Sequence, residues 1–129
     1  MGLKNPIPEG IPSTPGKLIS ANNTNGTVVK SEPSAVDFLT ASNTNASPRY
    51  LKIYNKRTAP TVGTDIPVFT FLIPGNSGSG TNIPLPPKGL QLDEGFGLGL
   101  TTGVADNDTG AVAANEIVVN YQFRSSNQG

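Results

Sequence analysis

Apolar and polar positions alternate along this chain in short bursts separated by Gly, Pro and Asn. The strongest alternation covers residues 116–124, where Ile117, Val119, Tyr121 and Phe123 share one face and Val118, Asn120, Gln122 and Arg124 the other. That is the period of a strand, whose successive side chains point to opposite faces. Residues 49–54 repeat it, with Leu51 and Ile53 opposite Tyr50, Lys52 and Tyr54, and residues 96–101 set Phe96, Leu98 and Leu100 against Gly97 and Gly99. Residues 36–41 are expected to place Val36, Phe38 and Thr40 on one face, and residues 68–73 read as a strand buried on both. Shorter strands are expected at residues 17–21, 27–30, 82–85 and 89–92, the last two flanked by proline and suited to sheet edges. Helical periodicity is nearly absent; residues 110–115 have the composition of one helical turn, too short to stand alone. The fold class predicted is all-β, an antiparallel β-sandwich or jelly-roll-like barrel. Residues 21–27 and 41–47 echo each other as Asn-rich polar turns, as two loops at the same end of a meander would.

The first sixteen residues differ. Pro6, Pro8, Pro12 and Pro15, with Gly10 and Gly16, exclude a helix and remove ladder donors, leaving extended polyproline-like backbone. Residues 1–16 are therefore expected to form a Pro-rich arm ahead of a β domain at 17–125 and a flexible tail at 126–129. Leu3, Ile7 and Ile11 recur every four residues along the arm, as anchors in another protein's groove would.

Composition narrows the chemistry. The chain has 129 residues, nine basic and nine acidic, and contains no Cys, His or Trp. Thiol nucleophiles, disulfides, His-based acid–base schemes and zinc sites of Cys or His are excluded. Asp93 and Glu94 are adjacent, so on a strand they point apart and form no acid–base pair. Asp106, Asn107, Asp108 and Gly110 suggest a calcium loop, but glycine occupies a ligand position and Glu116 stands one residue early. A turn whose Asp and Asn side chains bond their own backbone is the better account. The glycines at 95–103 and 75–80 match neither a dinucleotide fingerprint nor a phosphate loop. No enzyme activity, cofactor or metal is expected, and neither a signal peptide nor a membrane span is predicted.

Charge is uneven along the chain. Residues 1–64 hold seven basic and three acidic side chains, and residues 65–129 hold two and six. The cluster Arg49, Lys52, Lys56 and Arg57 could suggest nucleic acid, but overall neutrality and the acidic second half argue against it. Together with Asp93 and Glu94, these four are candidates for charge-complementary contacts between copies or with a partner.

Residues 49–56 (Arg-Tyr-Leu-Lys-Ile-Tyr-Asn-Lys), residues 59–68 (Ala-Pro-Thr-Val-Gly-Thr-Asp-Ile-Pro-Val) and the stretch from Thr101 to Tyr121 resemble small structural proteins of tailed bacteriophage particles. The resemblance extends from about Ala21 to Phe123 and leaves the arm outside it. It implies a structural component of a virion. A small, neutral, Cys-free β domain with an extended arm suits a head decoration or cement protein, made in the host cytoplasm and placed on the outer surface of the head. The expected partner is the major capsid protein, with Leu3, Pro6, Ile7, Pro8, Ile11 and Pro12 docking in a seam between subunits, and a homo-oligomer (dimer or trimer) is expected. The alternatives are a receptor- or carbohydrate-binding module, for which Tyr50, Tyr54 and Tyr121 are the available rings, and a neck or tail adaptor.

Overall fold

Each alternating stretch becomes a strand, and the pairing of those strands makes two antiparallel sheets. The computed structural model describes residue 7 and residues 10–125. Its strands are β1 (Thr14–Ile19), β2 (Thr27–Lys30), β3 (Ser34–Asn43), β4 (Arg49–Asn55), β5 (Phe69–Ile73), β6 (Thr81–Asn82), β7 (Leu90–Leu92), β8 (Phe96–Thr101) and β9 (Ile117–Ser125), and no helix occurs among the described residues. In the first sheet β9 lies between β1 and β3, and both β6 and β7 pair with the far side of β3. The second runs β2-β8-β4-β5. Leu3, Pro6 and Pro8 of the expected arm, and the tail at 126–129, lie outside the described residues.

The inner faces of the two sheets share one core. Val36, Leu39 and Ala41 of β3 and Ile117, Val119 and Phe123 of β9 meet Leu51 and Ile53 of β4 and Phe96, Leu98 and Leu100 of β8. Phe96 packs edge-on against Tyr121, ring centroids 5.6 Å apart at 82°, the favoured geometry for aromatic quadrupoles.

Three expectations are corrected. The strand expected at residues 17–21 begins at Thr14, taking Pro15 and Gly16 out of the arm. Proline is tolerated because β1 is an edge strand, paired among the described residues with β9 alone, and Gly16 is needed because a Cβ there would run into the Tyr121 ring. Val36 and Phe38 do not share a face: a register shift between them turns Phe38 outward, and Leu39 becomes the next core residue. Residues 68–73 are not buried on both faces but end at a sheet edge, leaving Val68, Phe69 and Leu72 exposed. Residues 110–115, too short to stand alone as a helix, run as a loop; Val112 is drawn into the core while its N–H donates to Asn23 O.

The two Asn-rich loops do lie at one end of a sheet. Ile19, ending β1, faces Val118, and Asn43, ending β3, faces Ile117. Asn25 closes the first loop, accepting from Ala21 N–H and donating to Ala21 O and Asn23 O. Its φ of 56° is a left-handed conformation that asparagine tolerates. Asn43 and Asn45 close the second by accepting from the N–H groups of Asn45 and Ser47.

Candidate interaction surfaces

The described part of the arm is fixed to its own domain. Ile7 is buried, its N–H reaching Gln91 Oε1 and its carbonyl accepting from Arg124 Nη1 at 3.0 Å. Arg124, on the outer side of β9 and itself buried, also grips both carboxylate oxygens of Asp37 at 3.0–3.1 Å and the Lys88 carbonyl at 2.7 Å. Planar guanidinium geometry suits such a multi-acceptor hub. Lys88 holds φ at 69°, a strained value for a side-chain-bearing residue. Its carbonyl is held by Arg124 and by Gln91 Nε2. Ser13 Oγ donates to the same Asp37. Ile7 is therefore not available as an anchor in another protein; Ile11 is half-buried and Pro12 exposed.

The charged candidates are engaged within the chain. Arg49 pairs with Glu116 at 2.8 Å, Lys56 with Asp65 at 2.6 Å and Arg57 with Glu94 at 2.7 Å, while Asp93 accepts from Asn55 Nδ2 at 2.5 Å. The Arg57–Glu94 pair is more than half exposed and contributes little stability. Hydrogen bonds from Lys56 and from Thr61 N–H hold the Asp65 carboxyl below its ordinary range. Arg49–Glu116 is the buried pair. Burial alone would raise the Glu116 pKa, but hydrogen bonds from Arg49 and Asn45 outweigh it and lower it. Residues whose sequence separation hid their pairing, Glu116, Asp65 and Asp37, could not be matched to Arg49, Lys56 and Arg124 by spacing.

Lys52 is fully buried, which the alternating pattern of β4 does not anticipate. The outer face of the second sheet is covered, with Pro60 against Gly97 and Val62 against Gly99. A Cβ at Gly99 would come within 2.8 Å of Val62 Cγ2, so the covering segment needs glycine beneath it. The Lys52 ammonium donates to Ala105 O at 2.5 Å, tying down the loop between β8 and β9. Desolvation lowers its pKa against the raising effect of Asp108 and Asp106. Beside it the Tyr54 hydroxyl is buried without a hydrogen-bond partner among the described residues, and burial pushes its pKa up to about 12. Asp108 accepts from the N–H groups of Gly103 and Gly110, the turn chemistry expected of this acidic segment.

Large apolar side chains remain in solvent. Ile66 is 70% and Val104 61% exposed, one on each loop laid over the second sheet, and Val68 just ahead of β5 and Phe69 and Leu72 on it are exposed as well. By contrast, a groove of about 440 Å³ on the outside of the first sheet is lined by Thr40, Ser42, Ser79, Thr81, Asn82 and Asn120, with no ionisable group. Comparison with family models, curated proteins and solved structures finds no match to this chain.

Proposed function

We propose that this protein is a structural component of a tailed-phage particle, a cement protein that lies on the capsid exterior and bridges neighbouring major capsid subunits. On this reading the two sheets are a β-sandwich serving as a rigid spacer. The observation that carries the proposal is the number of large apolar side chains left in solvent, Ile66 and Val104 on the loops over the second sheet and Val68, Phe69 and Leu72 at its β5 edge, while buried or paired charges hold the loops from within. A surface of that character is made to be covered by protein. The resemblance of residues 49–68 and 101–121 to phage structural proteins supplies the kind of lattice. Leu3 and Pro6, which precede the clamped Ile7 in sequence, and the exposed Pro12 are the arm's remaining contribution to a seam. The carbohydrate alternative is weakened because Tyr54 is buried and Tyr121, half-buried like Tyr50, packs its ring edge-on against Phe96.

The test is co-sedimentation with expanded shells of the phage that encodes the protein. Wild type is expected to bind in hundreds of copies and raise the temperature at which shells rupture. Ile66→Asp, at an exposed loop position, is expected to weaken binding about tenfold or more, as loss of a buried Ile contact implies. Deleting residues 1–6, which spares the clamp, is expected to weaken it further. Absence of binding to shells, or a dozen copies per particle, overturns the proposal.

A further inference from the structure

The sheets have several edges, and all but one carry a device that discourages further pairing. β1 has Pro15 and Lys17. β2 is four residues long, ends in Lys30 and is shifted in register against β8. β6 and β7 are two and three residues long. Short strands, prolines, lysines and bulges are the usual ways of blunting an edge. β5 has none of them. Its five residues, Phe69 to Ile73, pair in unbroken register with β4, and among the described residues no strand lies on its other side. Every second residue of an antiparallel strand turns its N–H and C=O away from its neighbour, so this edge offers a ready ladder.

We infer that the edge is covered by the β5 strand of a second copy, paired antiparallel about a two-fold axis near Phe71. The inference rests on the reading of this region as a protein-contact surface, and not on the capsid. Two observations favour a second copy. First, no ionisable side chain occurs between Asp65 and Lys88, so β5 and the segments that flank it carry no charge of their own to repel an image of this edge. An isologous interface requires such self-complementarity. Second, the side chains match under the two-fold: Phe71 faces Phe71 of the other copy, Phe69 faces Ile73, and Thr70 faces Leu72. Phe69 and Phe71 already lie nearly parallel, centroids 5.7 Å apart at 6°, on the face that continues the inner side of the sheet. Aromatic and β-branched cross-strand pairs are the stabilising kind. With Ile66, Val68, Phe69 and Leu72 between 42% and 70% exposed, the two copies would together bury on the order of 1,000 Å², near the lower limit for specific association. The product is one continuous sheet made from both copies' four-stranded sheets.

The chain lacks cysteine, which gives a direct test. In Phe71→Cys the sole thiols would face each other across the axis, with Cα separations of about 4.5–5.5 Å, within disulfide reach. Mild oxidation is expected to give a covalent dimer at least tenfold faster than in Val104→Cys. Analytical ultracentrifugation of wild type at about 100 µM is expected to show twice the 13.3 kDa of the chain, and Leu72→Lys, at a solvent-exposed position, is expected to be a folded monomer. A monomeric wild type, a dimeric Leu72→Lys, or equal cross-linking of the two cysteine variants overturns the inference. A monomer whose shell binding is abolished by Leu72→Lys also overturns it, assigning the edge to a capsid strand. A monomer that binds shells refutes the pairing alone, and a dimer that ignores them refutes the capsid proposal alone.

Discussion

Replacing Arg49 with methionine removes the guanidinium from Glu116 while keeping an apolar stem. The Glu116 side chain is 6% exposed and Arg49 15%, so the carboxylate left behind is a buried charge with the Asn45 amide as its remaining side-chain donor. Breaking a fully buried pair costs about 3–5 kcal/mol. The retained Asn45 bond and the partial access of water at Arg49 bring the expected loss to about 2–3 kcal/mol. In a domain of this length that lowers Tm by about 10 °C. The loss is large because Glu116 ties together the second Asn-rich loop and the start of β4, while Ser20 of the first loop accepts its backbone N–H.

The assay is urea unfolding at neutral pH, repeated as pH falls. Glu116 has a folded pKa below its ordinary 4.5, so on acidification the unfolded chain binds its proton first. The stabilisation is complete above the unfolded pKa and is lost as pH falls through the folded one. Glu116→Gln should cost about 1 kcal/mol at neutral pH and remove that part of the acid limb. Arg49→Met within about 0.5 kcal/mol of wild type, or an acid limb unchanged in Glu116→Gln, would refute the reasoning.

Two further outcomes follow from buried groups. The Lys52 pKa is lowered by burial, so as pH rises towards its ordinary 10.5 the folded chain releases its proton before the unfolded one and stability rises with pH. Lys52→Met should abolish that rise; Tyr54, held protonated to about 12, opposes it above its ordinary pKa, so the comparison in urea belongs below about pH 10. Gly95→Ala brings a Cβ against Lys56 O and within 2.7 Å of Lys30 O, whereas Gly10→Ala meets nothing within 4 Å. Calorimetry should find the first destabilised by at least ~2 kcal/mol and the second unchanged.

Strand existence was legible because period-two alternation and turn residues are local. Phe96 to Thr101, with leucines facing glycines, and Ile117 to Phe123 fold as their pattern dictates. What failed to show was anything set by an added residue or by a neighbour distant in sequence. One extra residue at Asp37 reversed the face of Phe38, and no composition signal marks a bulge. The exposure of β5 depends on which strand ends the sheet, so a run of Phe, Leu and Ile looked interior. Lys52 follows the polar half of its alternation yet is buried, because a loop whose path sequence does not reveal lies over it. Gly97 and Gly99 were the available signal: bare backbone facing out on a central strand implies that something packs there. The burial of Ile7 was hidden for the same reason. Ile7 was an apolar residue among prolines, and only the position of Arg124 makes it part of this domain.

The pairing of charges within the chain decides what kind of force can hold copies or partners together. Arg49, Lys56, Arg57 and Arg124 each have an acidic partner at 2.6–3.0 Å, so their fields are largely cancelled at the distance of a second molecule. Attraction between opposite halves, which the +4 and −4 balance along the sequence suggests, is thereby replaced by short dipoles that fall off quickly. The association proposed through β5 and Ile66 would instead be apolar and backbone-mediated, and such contacts are little screened. Raising salt from about 0.05 M to 0.5 M, which shortens the Debye length about threefold, should change the dimer constant by less than about twofold. A constant that weakens tenfold or more over that range would return the interface to the charged side chains and take it away from the strand edge.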